Sequence, residues 1–148
     1  LPSYGAEMRG GTANCNVVIS DEEIPFAMVS QADYCIIMND PSLEKFESKV
    51  CPGGTLILDG SMVKRPVSRT DIQVYSVPAD TIAEEEGNTR GANMVLLGAY
   101  LAAAGGVKLE TVYANIDHSF TGSKAKYAES NKRLVKRGYD LIAGQMGH

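Results

Sequence analysis

The fold is decided by two neighbouring stretches, Tyr34-Cys-Ile-Ile-Met-Asn-Asp-Pro-Ser-Leu-Glu-Lys-Phe46 and Thr55-Leu-Ile-Leu58. The first stretch begins with a continuous apolar run, and the second consists of one. Such runs are typical of strands covered on both faces, as in parallel sheets. Between the runs, Asp40 is placed as an N-cap and Pro41 as the first helical residue of an amphipathic helix that extends to Val50. Strand, helix and strand in this order predict a βαβ unit.

The rest of the chain continues this alternation. We predict a strand with one buried face over residues 13–19 and a further strand over residues 72–77. Helices are predicted over residues 81–86, 92–104, 109–120 and 124–142. The helix 92–104 is apolar nearly all round, so we expect it to be central, with Gly98 permitting close packing. The predicted fold class is α/β, a three-layer Rossmann-like domain with a mainly parallel sheet.

Length and composition indicate one soluble globular domain. The chain has 148 residues, of which 44% are apolar and 22% charged, and this is enough for one core and too little for two. Its formal charge of -4 gives no general attraction to nucleic acid or to an anionic membrane. The basic content of the last predicted helix is read as a solvated face or a protein contact, because aromatic residues are sparse there. We expect neither nucleic acid nor a membrane as a partner.

The cysteines favour a reducing compartment. There are three, Cys15, Cys35 and Cys51, with no C-x-x-C pair, and two of them lie in apolar strand-like runs. This pattern is typical of buried free thiols. Because no signal-peptide pattern is visible and the longest apolar run falls short of the roughly 20 residues of a membrane span, we expect a cytoplasmic protein.

No motif for catalysis or metal binding is found. His118 and His148 lie far apart, without a second ligand at helical spacing. Three cysteines are too few for an iron–sulfur cluster, which usually takes four thiolates. The G-x-S-x-G motif is missing, and no base is visible for a cysteine nucleophile. We therefore expect no catalytic residue, no metal and no cofactor bound by this chain itself.

Three polar segments remain as candidate sites, and their residues are Tyr4, Glu7, Arg9, Gly10, Gly11, Asn39, Asn88, Arg90 and Asn93. The first segment offers an anion the Arg9 side chain and glycine amides. Asn39 follows a predicted strand at the end where open α/β sheets place ligands. The third segment places Arg90 and two amide side chains at a helix start. The alternative interpretation is that all three segments are turns with capping residues.

Several blocks of this sequence together resemble the gamma subunit of 2-oxoacid:ferredoxin (or flavodoxin) oxidoreductases. They are residues 2–12, 17–24, 38–39, 52–56, 87–94 and 97–99. The most specific is Pro2-Ser-Tyr-Gly-Ala-Glu-Met-Arg-Gly-Gly-Thr12. The likeness covers nearly the whole chain and looks closest to the 2-oxoglutarate type, while the pyruvate and branched-chain types stay open.

The resemblance implies an α/β domain within a multisubunit enzyme. Such an enzyme decarboxylates a 2-oxoacid on thiamine diphosphate, passes electrons through iron–sulfur clusters to ferredoxin or flavodoxin, and forms an acyl-coenzyme A. The resemblance implies that alpha, beta and ferredoxin-like delta subunits are the partners that hold these cofactors, with a homodimer as a further option. The gamma subunit is then non-catalytic. The nine candidate residues would face coenzyme A or another subunit, with Arg9 and Arg90 as phosphate contacts.

One departure from the family pattern concerns the start of the chain. Family members usually have a strand, a Gly-x-Gly-Gly-Gln-Gly turn and a helix before the Pro-Ser-Tyr-Gly segment. Residues 1–148 are therefore expected to form a single gamma-type domain that is N-terminally incomplete, through either disorder or truncation. A missing strand would leave an exposed sheet edge. The alternative function, from another class, is a free-standing α/β module that binds a nucleotide or coenzyme A.

Overall fold

A computed structural model describes residues 2–4, 15–17 and 31–146, the first two ranges by their backbone. Strand β1 spans Pro2–Tyr4 and β2 spans Cys15–Val17, and they pair antiparallel with Ser3 opposite Asn16. The strand predicted around Cys15–Val17 is confirmed. Tyr4, of the first candidate segment, thus lies in a paired strand, where the alternative interpretation placed a turn.

A three-stranded parallel sheet forms the centre of the described structure, in the order β3-β4-β5. Its strands are β3 (Ala32–Ile37), β4 (Val50–Asp59) and β5 (Gln73–Val77). The helices are α1 (Asp40–Phe46), α2 (Ala79–Glu85), α3 (Ala92–Ala104), α4 (Leu109–Ser119) and α5 (Ala128–Gln145), with short 3-10 helices at Glu47–Lys49 and Gly122–Tyr127. The predicted α/β class and βαβ unit are confirmed.

The central strand β4 separates two hydrophobic layers. Leu56 and Leu58 point to one face, where they pack in a cluster with Leu43 of α1. Ile57 points to the other face and packs in a cluster with Val95 of α3. Because successive strand residues point to opposite faces, one apolar run supplies both layers. The predicted three-layer arrangement is confirmed.

Helix α3 is central, as predicted, and packs against α5. Val95 and Leu96 of α3 are fully buried, as are Leu134 and Ile142 of α5. Burying one aliphatic side chain of this size contributes roughly 1.5–3 kcal/mol, so this pair of helices is a major source of stability. Helix α4 covers the far side of α3 through Ile116 and its neighbours.

The start and end of α1 differ from the prediction. The N-cap is Asn39 rather than Asp40, because the Asn39 Oδ1 accepts a hydrogen bond of 2.9 Å from the Ser42 backbone N–H. The Asp40 carboxylate instead accepts the backbone N–H groups of Lys64 and Arg65 at 2.8 and 2.9 Å. The helix also ends before Val50, which is the first residue of β4.

Strands β3 and β4 also differ from the prediction. Strand β3 is not covered on both faces, since Tyr34 and Ile36 are 38% and 40% exposed. Strand β4 begins at Val50 rather than Thr55, with a register irregularity where it passes Cys51 to Gly54. Gly53 has φ of 80° there and donates to the Asp71 carbonyl at 2.8 Å. Glycine adopts this backbone bend readily, so residues 51–54, predicted to separate the helix from the strand, belong to the strand.

The last helices follow the prediction with shifted ends. Helix α2 starts two residues earlier than expected, and the helix expected over residues 124–142 divides into the 3-10 helix Gly122–Tyr127 and α5. Helix α4 lies where it was predicted, and it ends one residue earlier. None of these shifts changes the order of the elements.

Candidate functional site

The predicted site residues fall into three groups in the structure. Glu7, Arg9, Gly10 and Gly11 lie outside the described residues, and Tyr4 is described only as part of β1. Asn39 lies at the start of α1, beyond the carboxyl end of β3. Asn88, Arg90 and Asn93 lie at the junction of α2 and α3. Helix α2 separates this junction from the carboxyl ends of the strands by about 10 Å, the length of seven helical residues.

Asn39 has a structural task at the carboxyl edge of the sheet. Its side-chain oxygen caps α1, as described above, and its backbone carbonyl accepts the Leu43 N–H at 3.2 Å. The side chain itself is exposed. The capping alternative therefore holds for the oxygen of Asn39, while a role of the exposed amide N–H₂ group toward a ligand stays a prediction.

The sequence analysis missed a buried carboxylate at the same edge. Asp59, the last residue of β4, is 1% exposed, and its Oδ1 accepts the backbone N–H groups of Ser61 at 3.0 Å and Asp80 at 3.4 Å. The Ser61 hydroxyl also lies 2.9 Å from that of Thr81. Asp59 thereby ties the end of β4 to the start of α2, whose own N-cap residue, Pro78, offers no side-chain cap. An acidic residue directly after a buried strand was the signal that could have revealed it.

Asn88 anchors the α2–α3 junction to α5. Its Nδ2 donates to the Asn131 Oδ1 at 2.8 Å and to the Ser130 Oγ at 3.1 Å. Its backbone carbonyl accepts the Gly91 N–H at 2.9 Å. A Cβ at Gly91 would lie 2.2 Å from Leu134 Cδ1, so a side chain at this position would require Leu134 of α5 to move. The motif Gly87-Asn88-Thr89-Arg90-Gly91 thus builds a firmly held loop.

Arg90 and Asn93 point away from this framework. Both are exposed, and neither makes an ion pair or a side-chain hydrogen bond with any residue that the structure describes. They are three positions apart around the first turn of α3, whose leading N–H groups carry partial positive charge. The junction therefore presents one uncompensated cation on a rigid support.

The cations of α5 are arranged differently. Lys132 pairs with Asp117 at 2.7 Å, Arg133 with Glu86 at 3.0 Å, and Arg137 with Glu85 at 2.9 Å. Lys136 pairs with Asp140 within the same helix at 2.8 Å. The pKa values of Lys132 and Lys136 are raised, chiefly by hydrogen bonds to the side chains of Asp117 and Asp140 respectively. The basic face predicted for the last helix is thus largely neutralised by the chain's own acids.

An apolar row runs along β3. Tyr34, Ile36 and Met38 follow one another at every second position and are 38%, 40% and 42% exposed. The Tyr34 ring meets Tyr100 of α3 edge-on, with 5.4 Å between ring centroids. Strand β3 is an outer strand of the described three-stranded sheet. This row is the most apolar exposed feature near the sheet edge.

Two open cavities lie away from the Asn88–Asn93 junction. One, of about 320 Å³, is lined by residues at the amino end of the sheet, namely Asp33, Tyr34, Cys51, Pro52, Gly53, Gly54 and Thr55. The other, of about 470 Å³, lies between α3, α4 and α5 and is lined by Leu101, Gly105, Gly106, Val107, Lys108, Leu109, Glu110 and Tyr139. Neither cavity contains a predicted site residue.

The described thiols and histidine show no catalytic arrangement. Cys35 and Cys51 are free and half-buried, and burial raises the pKa of the Cys35 thiol to about 11. A thiol with so high a pKa is a poor nucleophile near neutral pH, and Cys35 is only half-buried where a buried thiol was predicted. His118 is exposed at the end of α4. Among the described residues, no three His, Cys, Asp or Glu side chains come together as a metal site would require.

Hydropathy along the helices gives one further finding. In the part of the chain that the structure describes, no helix combines the length and the apolar character needed to cross a membrane.

Comparison with known proteins adds a family match. The sequence model of the family described as pyruvate ferredoxin/flavodoxin oxidoreductase matches residues 1–141. The 2-oxoglutarate synthase subunit KorC of Methanothermobacter marburgensis is 38% identical over 146 residues, which is 95% of this chain and 77% of that protein. The ketoisovalerate oxidoreductase subunit VorA of Methanothermobacter thermautotrophicus is 36% identical over 138 residues, or 93% of this chain. The chain spans only 28% of the length of that VorA subunit.

Solved structures show the same fold. The gamma subunit of a keto/oxoacid ferredoxin oxidoreductase from Geobacter sulfurreducens superposes with a TM-score of 0.80 at 24% identity, over 97% of this chain and 80% of that chain. A 2-oxoglutarate:ferredoxin oxidoreductase from Magnetococcus marinus, solved with 2-oxoglutarate, coenzyme A and succinyl-CoA bound, superposes with a TM-score of 0.68 at 19% identity, over 82% of this chain and 22% of that chain. The α/β arrangement described above is thus the fold of a known gamma subunit.

Proposed function

Because this chain belongs to the pyruvate ferredoxin/flavodoxin oxidoreductase family, we propose that it is the gamma subunit of a 2-oxoacid:ferredoxin or flavodoxin oxidoreductase complex. The observation that carries the proposal is the likeness to KorC, which covers 95% of this chain and 77% of that subunit at 38% identity. We propose 2-oxoglutarate as the 2-oxoacid for the same reason.

The proposed reaction belongs to the complex as a whole. A 2-oxoacid, coenzyme A and two oxidised one-electron carriers give an acyl-coenzyme A, carbon dioxide, two reduced carriers and a proton. Thiamine diphosphate and iron–sulfur clusters, held by the alpha, beta and delta subunits, supply the decarboxylation and the electron transfer. Ferredoxin or flavodoxin accepts the electrons, and we propose a cytoplasmic location for the complex.

The role proposed for this chain is to bind its neighbours and to help form the approach of coenzyme A. Two features support it: Arg90 is an exposed cation without a partner in the described structure, and Asn88 holds its loop firmly against α5. Arginine suits phosphate because its planar guanidinium group donates two parallel hydrogen bonds. Arg9, Tyr4, Glu7, Gly10 and Gly11 are proposed for the same surface on the strength of the sequence alone.

Purification from the native organism tests the proposal. The chain, tagged at its carboxyl end, should co-purify with subunits that carry thiamine diphosphate and iron–sulfur clusters. The preparation should reduce ferredoxin when both 2-oxoglutarate and coenzyme A are supplied. A chain that elutes alone would refute the complex and favour a free-standing binding module. Activity with 2-oxoisovalerate or pyruvate in place of 2-oxoglutarate would refute only the choice of substrate.

Arginine substitutions test the coenzyme A surface. Arg9→Ala should raise the KM for coenzyme A several-fold, while the KM for 2-oxoglutarate stays the same. Arg65→Ala is the matched control, since Arg65 is exposed and makes only a surface ion pair with Glu44, and such pairs contribute about 0–1 kcal/mol. If Arg9→Ala behaves like Arg65→Ala and the parent, Arg9 does not contact coenzyme A.

A further inference from the structure

Exposed cations lie at the α2–α3 junction and in the 3-10 helix Gly122–Tyr127, which hydrogen bonds through Asn88 and Ser130 connect to each other. We propose that Arg90, Lys124, Lys126 and Tyr127, hereafter the basic patch, dock an acidic face of a neighbouring protein in the complex. This inference rests on the proposed function, and it adds the location and the charge of one interface. Of the two roles considered for Arg90, contact with coenzyme A and contact with another subunit, it assigns the second.

Hydrogen bonds hold the parts of the basic patch together. The Asn88 amide donates to the Ser130 hydroxyl, and this hydroxyl donates to the Tyr127 carbonyl at 3.1 Å. Arg90 lies two residues from Asn88, and two residues span at most about 7 Å of chain. Lys126 precedes Tyr127 directly, and its Nζ lies 5.2 Å from the centre of the Tyr127 ring. Two hydrogen bonds and a few residues of chain therefore join the loop of Arg90 to the segment that carries Lys126.

The charge of the basic patch is not neutralised within the described structure. Arg90, Lys124 and Lys126 are exposed, and none of them forms an ion pair there. The adjacent cations of α5 all do, as the pairs of Arg133 and Arg137 with Glu86 and Glu85 illustrate. On a chain with a net charge of -4, a local excess of positive charge marks a surface that fits a negative partner.

The shape and composition of the basic patch favour a protein over a small anion. Small ligands bind in concave sites, and the two cavities described above are lined by other residues. Tyr127 is 45% exposed within the basic patch. Tyrosine and arginine are enriched at the energetic centres of protein interfaces. Tyr127 and Arg90 match that composition, and the two lysines add positive charge beside them.

Carbodiimide cross-linking of the purified native complex tests the inference. This reagent condenses a lysine amine with a carboxylate when the amine and the carboxylate are in contact. Lys124 and Lys126 should yield cross-linked peptides with Asp or Glu of another subunit. Lys64 and Lys108 are the controls, because they too are exposed and make no ion pair within the described residues, and they should yield none.

The outcomes separate this inference from the proposed function. Co-purified thiamine- and cluster-bearing subunits without intersubunit cross-links at Lys124 or Lys126 would overturn the basic patch as an interface and leave the proposed function standing. Cross-links within this chain, or to a second copy of it, would overturn the inference in the same way. A chain that elutes alone and cross-links to nothing would overturn both.

Charge reversal gives an independent measurement. The double variant Arg90→Glu/Lys126→Glu should weaken assembly with the other subunits by about tenfold or more at low salt, with a smaller effect at high salt because screening reduces both attraction and repulsion. Lys64→Glu/Lys108→Glu makes the same change in net charge elsewhere and should alter assembly less than twofold. Equal losses in both double variants would contradict a local contact. Circular dichroism spectra of both variants show whether they are folded.

Discussion

Gly98 of α3 and Gly138 of α5 face each other's helix at the point where the two backbones come closest. A Cβ atom at Gly98 would lie 1.9 Å from the Val135 carbonyl oxygen, and one at Gly138 would lie 1.9 Å from the Val95 carbonyl oxygen. The obstacle is in both cases backbone, which cannot rotate away as a side chain can. The contact between the two helices thus depends on hydrogen at both positions.

Gly98→Ala should lower the free energy of unfolding by about 3 kcal/mol, the upper part of the usual range for overpacking a core. Gly138→Ala should have a similar effect. Urea unfolding followed by circular dichroism measures the loss. Because both alanines push the same two helices apart, the double variant should cost less than the sum of the single variants.

Gly144→Ala is the matched control for these substitutions. Gly144 lies in the last turn of α5, and a Cβ there would meet nothing within 4 Å. Alanine is the better helix former by roughly 1 kcal/mol, so this variant should be as stable as the parent or more so. A loss in Gly144→Ala similar to that in Gly98→Ala would mean that the close contact between α3 and α5 does not explain the result.

Asn88→Ala should lower stability by about 1–3 kcal/mol, which is the usual cost of leaving a buried polar group without its partner. The group left behind is the side-chain oxygen Oδ1 of Asn131, a residue that is 4% exposed. Hydrogen exchange should rise in the loop around Arg90, and thermal unfolding should shift downward. Asn115→Ala is the control, since Asn115 is exposed and bonds only the Thr111 carbonyl of its own helix. Equal stability of the two variants would show that Asn88 is not an anchor.

The order of the elements was readable from the sequence because each element carries its own signal. Helix α3 was predicted with its observed bounds, since its apolar residues are continuous and glycines flank both ends. The predictions were wrong where contacts with distant parts of the chain determine the local structure. Asn39 and Asp40 are equally good N-caps, and the choice follows from the backbone of Lys64 and Arg65, which binds the Asp40 carboxylate. Residues 34–38 form an apolar run, and their exposure depends on which layers cover the sheet edge.

The candidate site was predicted in part for the same reason. The Gly-Asn-Thr-Arg-Gly motif was recognised, but the division of labour within it needed the structure: Asn88 and Gly91 hold the loop, and Arg90 is exposed. The buried Asp59 was not recognised, because its partner from α2, the Asp80 N–H, lies 21 residues away. The position of Asp59 after a buried strand is a local signal, whereas its contact with the Asp80 N–H leaves none.

Arg69 and Asp71 should make stability depend on pH in acid. The Arg69 Nε and Nη2 donate to the two Asp71 carboxylate oxygens at 2.9 and 2.6 Å, and Nη1 donates to the carbonyls of Glu47 and Val50. The hydrogen bonds from Arg69 lower the pKa of Asp71 from its ordinary value of 3.8. Because the pKa of Asp71 is lower in the folded chain than in the unfolded chain, this stabilisation is present above pH 3.8. It is lost as the pH falls through the lowered pKa of Asp71.

Asp71→Asn should therefore remove part of the acid dependence measured by urea midpoints between pH 2 and pH 6. The same change in an Arg69→Gln background is the control, because the guanidinium group that lowers the pKa is then gone. It should have no pH-dependent effect. A difference between Asp71→Asn and its parent that is constant across this pH range would show that the pair does not titrate as described.

Cys35 should make stability depend on pH in alkali, with the opposite direction. Burial raises the pKa of its thiol from 9.0 to about 11, so the unfolded chain releases this proton before the folded chain does. The contribution is complete below pH 9.0 and is lost as the pH rises to about 11. Two pKa units correspond to about 2 to 3 kcal/mol.

Cys35→Ala will be less stable at neutral pH because it leaves a small cavity, but its difference from the parent should shrink between pH 9 and pH 11. Cys51→Ala, at a thiol that is also half-buried, is the comparison. If the parent and Cys35→Ala lose stability in parallel up to pH 11, the thiol of Cys35 ionises in the folded chain as readily as in the unfolded one.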